Sequence, residues 1–324
     1  MVRDEVLRAL EAQRGQCISG AALAQTLGVS RAAVWKAIEK LRADGLAIDA
    51  LAGEGYALRA DDDTLTAEAV QAALVTHALG RALTVVPETD STNSLMKRAY
   101  ADAPHGFTLI ARTQTAGRGR LGRTFCSPDG GLYLSVLLRP RLPLGQLNLV
   151  TLAAAVAVCR ALERLTPLAP AIKWVNDVLV DERKLCGILT EAAIEGETGA
   201  IDFVVVGIGV NLRLDRTALP PDVQEIACAL ADLTRDVPRR AVLAAAILGE
   251  LETRYALLES GQSHLLLAEY RTRLCVLGRT VRVCAPQGSY EARVQDLDEN
   301  GHLLVRTPDG AQHTLSSGEI SIRL

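Results

Sequence analysis

The stretch Gly117-Arg118-Gly119-Arg120-Leu121-Gly122-Arg123 decides which fold the middle of this chain can adopt. Its glycines match the dinucleotide-binding pattern G-x-G-x-x-G, and Arg123-Thr124 comes close to the end of a phosphate-binding P-loop. Both of those loops need a helix directly after the glycines, because the helix N-terminus binds the phosphates. The chain continues instead with a turn, residues 125–131, and the strand-like run Leu132–Leu138. The sequence therefore excludes a Rossmann or P-loop domain here.

The composition of the same stretch indicates an anionic ligand. Arg112, Arg118, Arg120 and Arg123 lie in a segment without any acidic residue between positions 111 and 128. Guanidinium groups bind carboxylates and phosphates through paired hydrogen bonds, and glycines let the backbone approach a ligand. We predict a ligand that carries both a carboxylate and a phosphate, and an exposed, flexible arginine loop is the alternative.

Two further segments contain lysines next to apolar, strand-like runs. They are Lys173-Trp174-Val175-Asn176-Asp177 and Lys184-Leu185-Cys186-Gly187-Ile188-Leu189. A lysine in such a place is costly to desolvate unless it pairs with an anion, although a hairpin with ordinary surface lysines is the alternative. Gly207 and Gly209 lie inside the most apolar strand candidate, which suggests either close backbone approach or a bulge.

The composition places the chain among globular proteins. It has 324 residues, of which 49% are hydrophobic, and a net charge of only -3, so two or three domains are expected. The seven cysteines are scattered without a C-x-x-C motif, and the five histidines are dispersed, so neither a disulfide framework nor a zinc site is predicted. The N-terminus lacks a signal-peptide pattern and the apolar runs are short. We expect a soluble, cytoplasmic protein without a membrane partner.

Residues 1–62 are predicted to form a winged helix-turn-helix domain. Ser19 and Ser30 can cap a second and a third helix, and Gly28 can end the second. On the third helix, Val34 and Ile38 recur at helical spacing with Leu41 and would pack inward. Two extended runs, at 48–51 and 56–59, flank a turn and would form the wing.

The outer face of the third helix suggests DNA binding. It carries small and basic residues, namely Arg31, Ala32, Ala33, Lys36 and Lys40. Small residues let the helix approach the major groove, and lysines can contact phosphates. Trp35 lies at the flank of the apolar face, so we expect half-buried packing rather than a base contact. A helical bundle with a solvated basic face is the alternative.

The rest of the chain divides into a mixed α/β domain, residues 63–270, and a β-rich segment, residues 271–324. Strands are predicted at Phe107–Arg112, Leu132–Leu138, Val178–Val180 and Phe203–Leu212, and helices at Leu149–Leu165 and Arg239–Leu258. The final segment alternates short β runs with turns, which is typical of a small barrel. The fold class is therefore α+β with three domains.

Taken together, these segments resemble the family of bifunctional biotin–protein ligases and biotin operon repressors. The matching pieces are Asp90-Ser91-Thr92-Asn93, Gln114 to Arg123, Ser127-Pro128, Lys173-Trp174-x-Asn176-Asp177, Arg183-Lys184-x-x-Gly187-Ile188-Leu189-x-Glu191 and Gly207-Ile208-Gly209-Val210-Asn211. The head, through 30–36 and 53–56, and the C-terminal segment match too. The resemblance covers nearly the whole chain and implies a class II synthetase-like ligase domain of the biotin/lipoate ligase type, followed by an SH3-like barrel.

The resemblance implies a reaction in two steps. Biotin carboxylate attacks the α-phosphate of MgATP to give biotinyl-5′-adenylate and pyrophosphate, and a lysine of a biotin carboxyl carrier protein then attacks the acyl carbon. It also implies repression of biotin synthesis genes at operator DNA, with the adenylate as corepressor and a ligand-promoted homodimer. The cofactors and substrates implied are biotin, ATP and Mg²⁺.

The resemblance assigns residues to three overlapping sets. The biotin-binding set is Ser91, Thr92, Asn93, Gln114, Gly117, Arg118, Gly119, Arg120, Lys184, Gly187 and Gly207. The ATP- and adenylate-binding set is Arg120, Arg123, Lys173, Asn176, Asp177 and Asn211. The catalytic set is Lys184, Arg120, Arg118 and Asp177. No metal ligand is assigned beyond Asp177, because magnesium enters with ATP.

The chain departs from the family pattern near the nucleotide. Val175 stands where proline is common, Phe125 stands where tryptophan is frequent, and no tryptophan comes after Trp174 to stack on adenine. Three other functions stay open at this point. They are a lipoate-type ligase, a non-catalytic biotin-sensing repressor, and a ligase whose DNA-binding head is vestigial.

Overall fold

A computed structural model describes residues 2–51, 53–197, 199–215, 217, 219–285, 288–316 and 319–321. These residues separate into two compact units. The first comprises the chain up to Val75 together with Pro238–Ala245, and the second comprises Thr76–Val237 together with the chain from Ala246 onward. The domain limits 1–62, 63–270 and 271–324 stay predictions.

The first unit is built on helices and one hairpin, as predicted. Its elements are α1 (Val2–Ala12), α2 (Gly20–Leu27), α3 (Arg31–Ala43), the antiparallel strands β1 (Ile48–Leu51) and β2 (Gly55–Leu58), and α4 (Ala67–Ala73). The hydroxyls of Ser19 and Ser30 accept the N–H groups of Ala22 at 3.0 Å and Ala33 at 3.1 Å. Gly28 ends α2 with φ 66°. The predicted helix caps are therefore confirmed.

The two faces of α3 differ as predicted, with one exception. Val34, Ile38 and Leu41 are buried in the cluster that also contains Val6 of α1. Trp35, however, is 58% exposed, so the prediction of half-buried packing is wrong. One residue step turns a helix by about 100°, which takes Trp35 from the buried side of Val34 onto the outer face.

The second unit contains a mixed sheet that carries the centre of the protein. Its described strands are β3 (Leu83–Thr89), β4 (Thr108–Gln114), β5 (Leu132–Leu138), β6 (Ala171–Lys173), β7 (Asp177–Val180), β8 (Arg183–Ile194) and β9 (Ile201–Val210). They lie in the order β3-β4-β5-β9-β8-β7-β6, and only β3 and β4 of these pairs run parallel. The predicted strands are confirmed, whereas β3 and most of the long β8 were not predicted.

The described helices of this part of the chain are α5 (Thr92–Ala99), α6 (Asn148–Leu165), α7 (Pro221–Ile226), α8 (Leu230–Leu233), α9 (Arg240–Glu259) and α10 (Ser263–Arg271). Within the described residues, one helical segment, Leu144–Leu165, is long and apolar enough to cross a membrane. Its most apolar window is 67% buried inside the protein, and α6 contacts β7, β8, β9 and α10. This degree of burial is typical of a helix in a protein core.

The C-terminal segment forms an antiparallel sheet, which confirms its predicted β-rich character. Its described strands are β10 (Thr280–Ala285), β11 (Gly288–Leu297), β12 (Leu303–Arg306), β13 (Gln312–Leu315) and β14 (Glu319–Ser321), in the order β13-β12-β11-β10-β14. The sequence predicts a last β run at 320–324, and residues 322–324 of it lie outside the described residues. The carbonyl of Gly301, in the turn before β12, accepts the indole N–H of Trp174 at 3.1 Å and the amide of Asn148 at 2.9 Å.

Candidate active site

A cavity of about 1070 Å³ opens at one end of the central sheet. Ligand pockets for small molecules are typically about 300–1000 Å³. Sixteen different positions were assigned to biotin, ATP or catalysis, and Gly117 alone among them is absent from the described cavity wall. The residues on the wall are Ser91, Thr92, Asn93, Gln114, Arg118, Gly119, Arg120, Arg123, Lys173, Asn176, Asp177, Lys184, Gly187, Gly207 and Asn211. The structure thus brings together residues more than a hundred positions apart.

Gly117 closes the base of the arginine loop instead of lining the cavity. Its carbonyl accepts the N–H of Phe125 at 2.9 Å, and a Cβ there would lie 2.6 Å from the hydroxyl of Ser127. The N–H of Gly119 donates to the carbonyl of Arg123 at 2.7 Å. The base of the loop is therefore a folded turn, while Arg118 and residues 121–124 are exposed, as the alternative of an exposed arginine loop expects.

Gln114 is held at one end of the cavity with its amide direction fixed. Its Oε1 accepts from the backbone N–H of Thr92 at 2.8 Å and from the hydroxyl of the same residue at 3.2 Å. Its Nε2 donates to Ser127 at 2.8 Å. A primary amide has two N–H groups, so Gln114 retains one donor that can face a ligand.

Asn93 lies at the same end and has the complementary capacity. Its Nδ2 donates to the carbonyl of Leu189 at 3.1 Å and to Glu191 at 2.9 Å, and its Oδ1 accepts from Ser135 at 2.7 Å. Both N–H groups are thus used within the protein, whereas the carbonyl oxygen retains one lone pair. This end of the cavity suits a head group that has both an N–H donor and an acceptor oxygen.

Lys184 lies at the other end, next to an acid and an aromatic ring. Its Nζ is 2.7 Å from Oδ1 of Asp177 and 5.9 Å from the ring centroid of Phe125. The Phe125 ring meets Tyr133 edge to face, with centroids 6.4 Å apart. The ammonium group is thereby held over an aromatic surface, which stabilises a cation.

The glycines of β8 and β9 leave room for two side chains. Gly187 and Gly209 are cross-strand partners, and a Cβ on either would meet the ring of Phe125. A Cβ on Gly207 would meet the amide of Asn93. The predicted close approach is confirmed, and the bulge is not, because the register of β9 is regular here and shifts only at Ala193/Ile194 of β8.

Replacing Gly209 with Ala is expected to destabilise the protein by about 1–3 kcal/mol and to weaken binding in the cavity. The new methyl group would displace the Phe125 ring from its place beside Lys184. Thermal unfolding of the two proteins measures the loss. Gly145→Ala is the matched control, because a Cβ there meets nothing within 4 Å. Equal melting temperatures for wild type and Gly209→Ala would contradict this packing.

The two arginines on the loop reach opposite ends of the cavity. Arg118 donates to Glu191 at 3.0 Å, beside the Asn93 end. Arg120 donates to Oδ1 of Asn176 at 3.3 Å, and Asn176 itself donates to the carbonyl of Ile188 at 2.9 Å. A loop with one cation at each end can bridge a ligand that spans the cavity.

An apolar part of the wall was missed by the sequence reading. It consists of Leu214, Leu219, Pro220, Val223, Ile226, Ala227 and Cys284. The spacing of Leu219, Val223 and Ile226, at i, i+4 and i+7, was the available signal, but α7 is short and begins with prolines. Asn211, beside this wall, donates its amide to the carbonyl of Cys228 at 3.1 Å. The peptide bond between Trp174 and Val175, at the departure from the family pattern, is cis.

Metal ligands are sparse around the cavity. The described part of the chain holds no group of three or more His, Cys, Asp or Glu residues that could bind a metal ion. Asp177 is the one carboxylate on the described wall. One carboxylate together with the phosphates of a nucleotide is a usual donor set for Mg²⁺.

The outer face of α3 carries the residues assigned to DNA. Arg31, Ala32, Lys36 and Lys40 are exposed, and Ala33 is half-buried. Trp35 joins them on this face. The face therefore combines basic, small and aromatic side chains.

Three family models match the chain. They are the biotin/lipoate A/B protein ligase family at residues 85–211, an HTH domain at 2–57, and the biotin protein ligase C terminal domain at 276–323. The matches cover helices α1 to α3, the C-terminal sheet and every cavity residue that was assigned to biotin or ATP, whereas the apolar wall from Leu214 to Ala227 lies outside them.

Whole-length relatives agree with these models. The chain is 31% identical over 319 residues to the bifunctional ligase/repressor BirA of Bacillus subtilis (strain 168), covering 98% of this chain and 97% of the relative. It is 32% identical over 315 residues to BirA of Escherichia coli (strain K12), covering 95% and 94%. Among solved structures, the biotin protein ligase from Aquifex aeolicus in complex with biotin and ATP superposes with a TM-score of 0.66 at 30% identity, covering 75% of this chain and 99% of that chain. The chain therefore belongs to the family of bifunctional biotin–protein ligases and repressors.

Proposed function

We propose that this chain activates biotin with ATP, transfers the biotinyl group to a lysine of a biotin carboxyl carrier protein, and represses biotin synthesis genes at operator DNA. One observation carries the catalytic part. A single cavity joins a donor–acceptor end, at Gln114 and Asn93, to a cationic end at Lys184 and Arg120. A ligand with a polar head and an anionic tail fits this arrangement.

The first step brings two anions together. A biotin carboxylate oxygen attacks the α-phosphorus of ATP, the bond to the bridging oxygen breaks, and pyrophosphate leaves. Lys184 and Arg120, at the cationic end, neutralise charge that would otherwise keep the two reactants apart, and this charge increases in the transition state. Because both reactants are bound in one cavity, the step is effectively unimolecular.

The second step needs a lysine amine that has lost its proton. The amine attacks the acyl carbon of the adenylate, and AMP leaves with the electrons of the acyl–oxygen bond. Asp177 supports this step, because it is the one carboxylate on the described wall and can accept a hydrogen bond from the incoming amine. Magnesium enters with ATP, where it neutralises phosphate charge, and Asp177 is the wall residue suited to contact it.

The apolar wall is proposed to cover the adenine base. Val223, Ile226 and Pro220 form an extended apolar surface beside Asn211. Burial of a planar base against aliphatic groups needs no stacking partner, because the hydrophobic gain scales with area. This accounts for the lack of a tryptophan after Trp174.

Two measurements test the proposed ligase activity. They are pyrophosphate release in the presence of biotin, MgATP and a biotin carrier domain, and detection of biotin on the carrier lysine. A non-catalytic sensor would bind biotin without releasing pyrophosphate. A lipoate-type ligase would turn over with lipoate instead. The fixed amides of Gln114 and Asn93 favour biotin, because its ureido group offers donor and acceptor whereas a dithiolane ring offers neither.

The DNA-binding part of the proposal rests on the outer face of α3. Arg31, Lys36 and Lys40 would contact phosphates, and Ala32 and Ala33 would let the helix approach the major groove. Trp35, exposed on the same face, would contact base edges or sugars. The partner is operator DNA, in a homodimer promoted by the adenylate. Dimer formation and a cytoplasmic location stay predictions. Sedimentation with and without biotin and MgATP tests whether the dimer forms.

Operator binding should separate the two kinds of contact on α3. Lys36→Ala is expected to reduce the slope of log affinity against log salt by about one unit, because a phosphate contact is lost. Trp35→Ala is expected to weaken binding about tenfold with the slope unchanged. The probe is a duplex selected by the wild-type protein from a random library in the presence of biotin and MgATP. Unchanged affinity of Trp35→Ala would show that the indole does not contact the DNA, and a slope reduced as in Lys36→Ala would assign its effect to phosphate contacts.

A further inference from the structure

Glu191 has no assigned role, although it lies close to the cavity on the same strand as Lys184. Strand β8 runs from Arg183 to Ile194, and its other cavity residues include Gly187. The carboxylate of Glu191 is only 18% exposed and lies behind the cavity wall. A charge in such a place needs compensating hydrogen bonds.

Three side chains provide those bonds, and they come from two functional elements. Oε2 of Glu191 accepts from Nδ2 of Asn93 at 2.9 Å. Oε1 accepts from Nζ of Lys97 at 2.7 Å and from Nη1 of Arg118 at 3.0 Å. Asn93 and Lys97 belong to α5, whereas Arg118 belongs to the arginine loop. One carboxylate thus connects the head-group end of the cavity to the arginine loop that lines it.

The ionisation of Glu191 is determined by these contacts. Partial burial favours the neutral acid, but the hydrogen bonds from Lys97 and Asn93 outweigh it and lower the pKa of the carboxyl group below its ordinary value. Glu191 is therefore ionised at neutral pH and can only accept hydrogen bonds. Asn93 must therefore direct an N–H of its amide toward Glu191.

The consequence for Asn93 is a fixed amide direction. With Nδ2 bound to Glu191 and to the carbonyl of Leu189, only Oδ1 is left to face a ligand, and Ser135 takes one of its two lone pairs. We propose that Glu191 is a positioning residue, which keeps Asn93 an acceptor for an N–H of the ureido head and holds Arg118 at the same end of the cavity. This inference rests on the proposed function, because it assumes that the head group binds beside Asn93.

Exchange of Glu191 for Gln keeps the shape but removes the constraint. A glutamine beside Lys97 would turn its own oxygen toward the ammonium group and its N–H groups toward Asn93. Two N–H groups cannot share a hydrogen bond, and turning the Asn93 amide over would instead set its Oδ1 against the carbonyl of Leu189. Either orientation leaves a mismatched contact, so Asn93 no longer presents a fixed acceptor to the ligand. A mismatch of this kind costs binding free energy in a buried site, because the N–H of the ligand is left without an acceptor.

The test is biotin binding to the full chain by titration calorimetry, combined with the KM for ATP. Glu191→Gln is expected to weaken biotin binding about tenfold or more, with the KM for ATP within about threefold of wild type. Glu191→Asp retains the charge and should recover part of the affinity. Lys97→Gln is the matched control, because it removes one ion pair while Asn93 and Arg118 still donate to the same carboxylate, and because Lys97 is absent from the described cavity wall. It should bind biotin within about threefold of wild type.

Three results would overturn the role. They are unchanged biotin affinity in Glu191→Gln, an equal loss in Lys97→Gln, or a KM for ATP that rises as much as the biotin dissociation constant. If Glu191→Gln does not fold, the comparison of Glu191→Asp with Lys97→Gln decides, and equal affinities for these two would count against the proposal. If the wild-type chain binds no biotin, the proposed function itself is contradicted.

Discussion

Replacing Lys184 with Met is expected to slow formation of the adenylate by about 10²- to 10³-fold, which is the usual cost of losing one donor aimed at developing charge. The ammonium group lies 2.7 Å from Asp177 and over the Phe125 ring, so it is held in place before any ligand arrives. A preorganised cation acts on the transition state without a further cost of reorganisation. Methionine keeps most of the side-chain volume, so the change isolates the charge.

Single-turnover release of pyrophosphate with biotin and MgATP measures this effect. Arg183→Met is the matched control, because Arg183 precedes Lys184 on β8, carries the same charge and is absent from the cavity wall. The control should react within about threefold of wild type. Similar losses in both variants would show that general charge, and not the position of Lys184, is responsible.

Replacing Arg120 with Gly is expected to release the bound adenylate about 10- to 100-fold faster, because one charge-assisted hydrogen bond contributes about 1.5–3 kcal/mol. Arg120 donates to Asn176 on the cavity wall, and Gly119 and Gly122 lie close to it on the loop. Such a loop can close over a ligand and slow its escape. Single-turnover formation of the adenylate should slow in the same variant, because Arg120 also neutralises charge in the first step.

The release of labelled adenylate into a trap measures this second effect. Arg112→Gln is its control, because Arg112 belongs to the same basic segment but pairs with Asp129 at 3.4 Å and is absent from the cavity wall. Release from Arg120→Gly that is no faster than from wild type would refute the covering role of the loop. Equally fast release from the control would point to the overall charge of the segment.

The sequence alone predicts those parts of the structure that depend on residues close together in the chain. Ser19, Gly28 and Ser30 cap helices wherever they adjoin a helical pattern, so their roles can be read from neighbours in the chain. The strand after Phe125 could be read from its apolar run, and that strand was enough to exclude a nucleotide-binding helix there. The cavity residues were grouped only through the family resemblance, because their spacing alone left each one ambiguous.

The features that the sequence missed depend on packing between distant segments. Half-buried packing was predicted for Trp35, since its neighbours in sequence do not reveal how far around α3 the buried cluster extends. Glu191 belongs to a family motif, but its partners Lys97 and Arg118 lie 94 and 73 positions away in the chain, so its contacts cannot be predicted from its neighbours. The wall around Val223 comes from a short helix that gives too few turns for a clear pattern.

Biotin-dependent exchange of labelled pyrophosphate into ATP, in the absence of any carrier protein, tests most directly whether one cavity joins a carboxylate to a phosphate through Lys184 and the arginine loop. We expect exchange with biotin, none with lipoate, a loss of about 10²-fold or more in Lys184→Met, and near-normal exchange in Arg183→Met. Exchange that does not require biotin, or that persists unchanged in Lys184→Met, would contradict this role of the cavity.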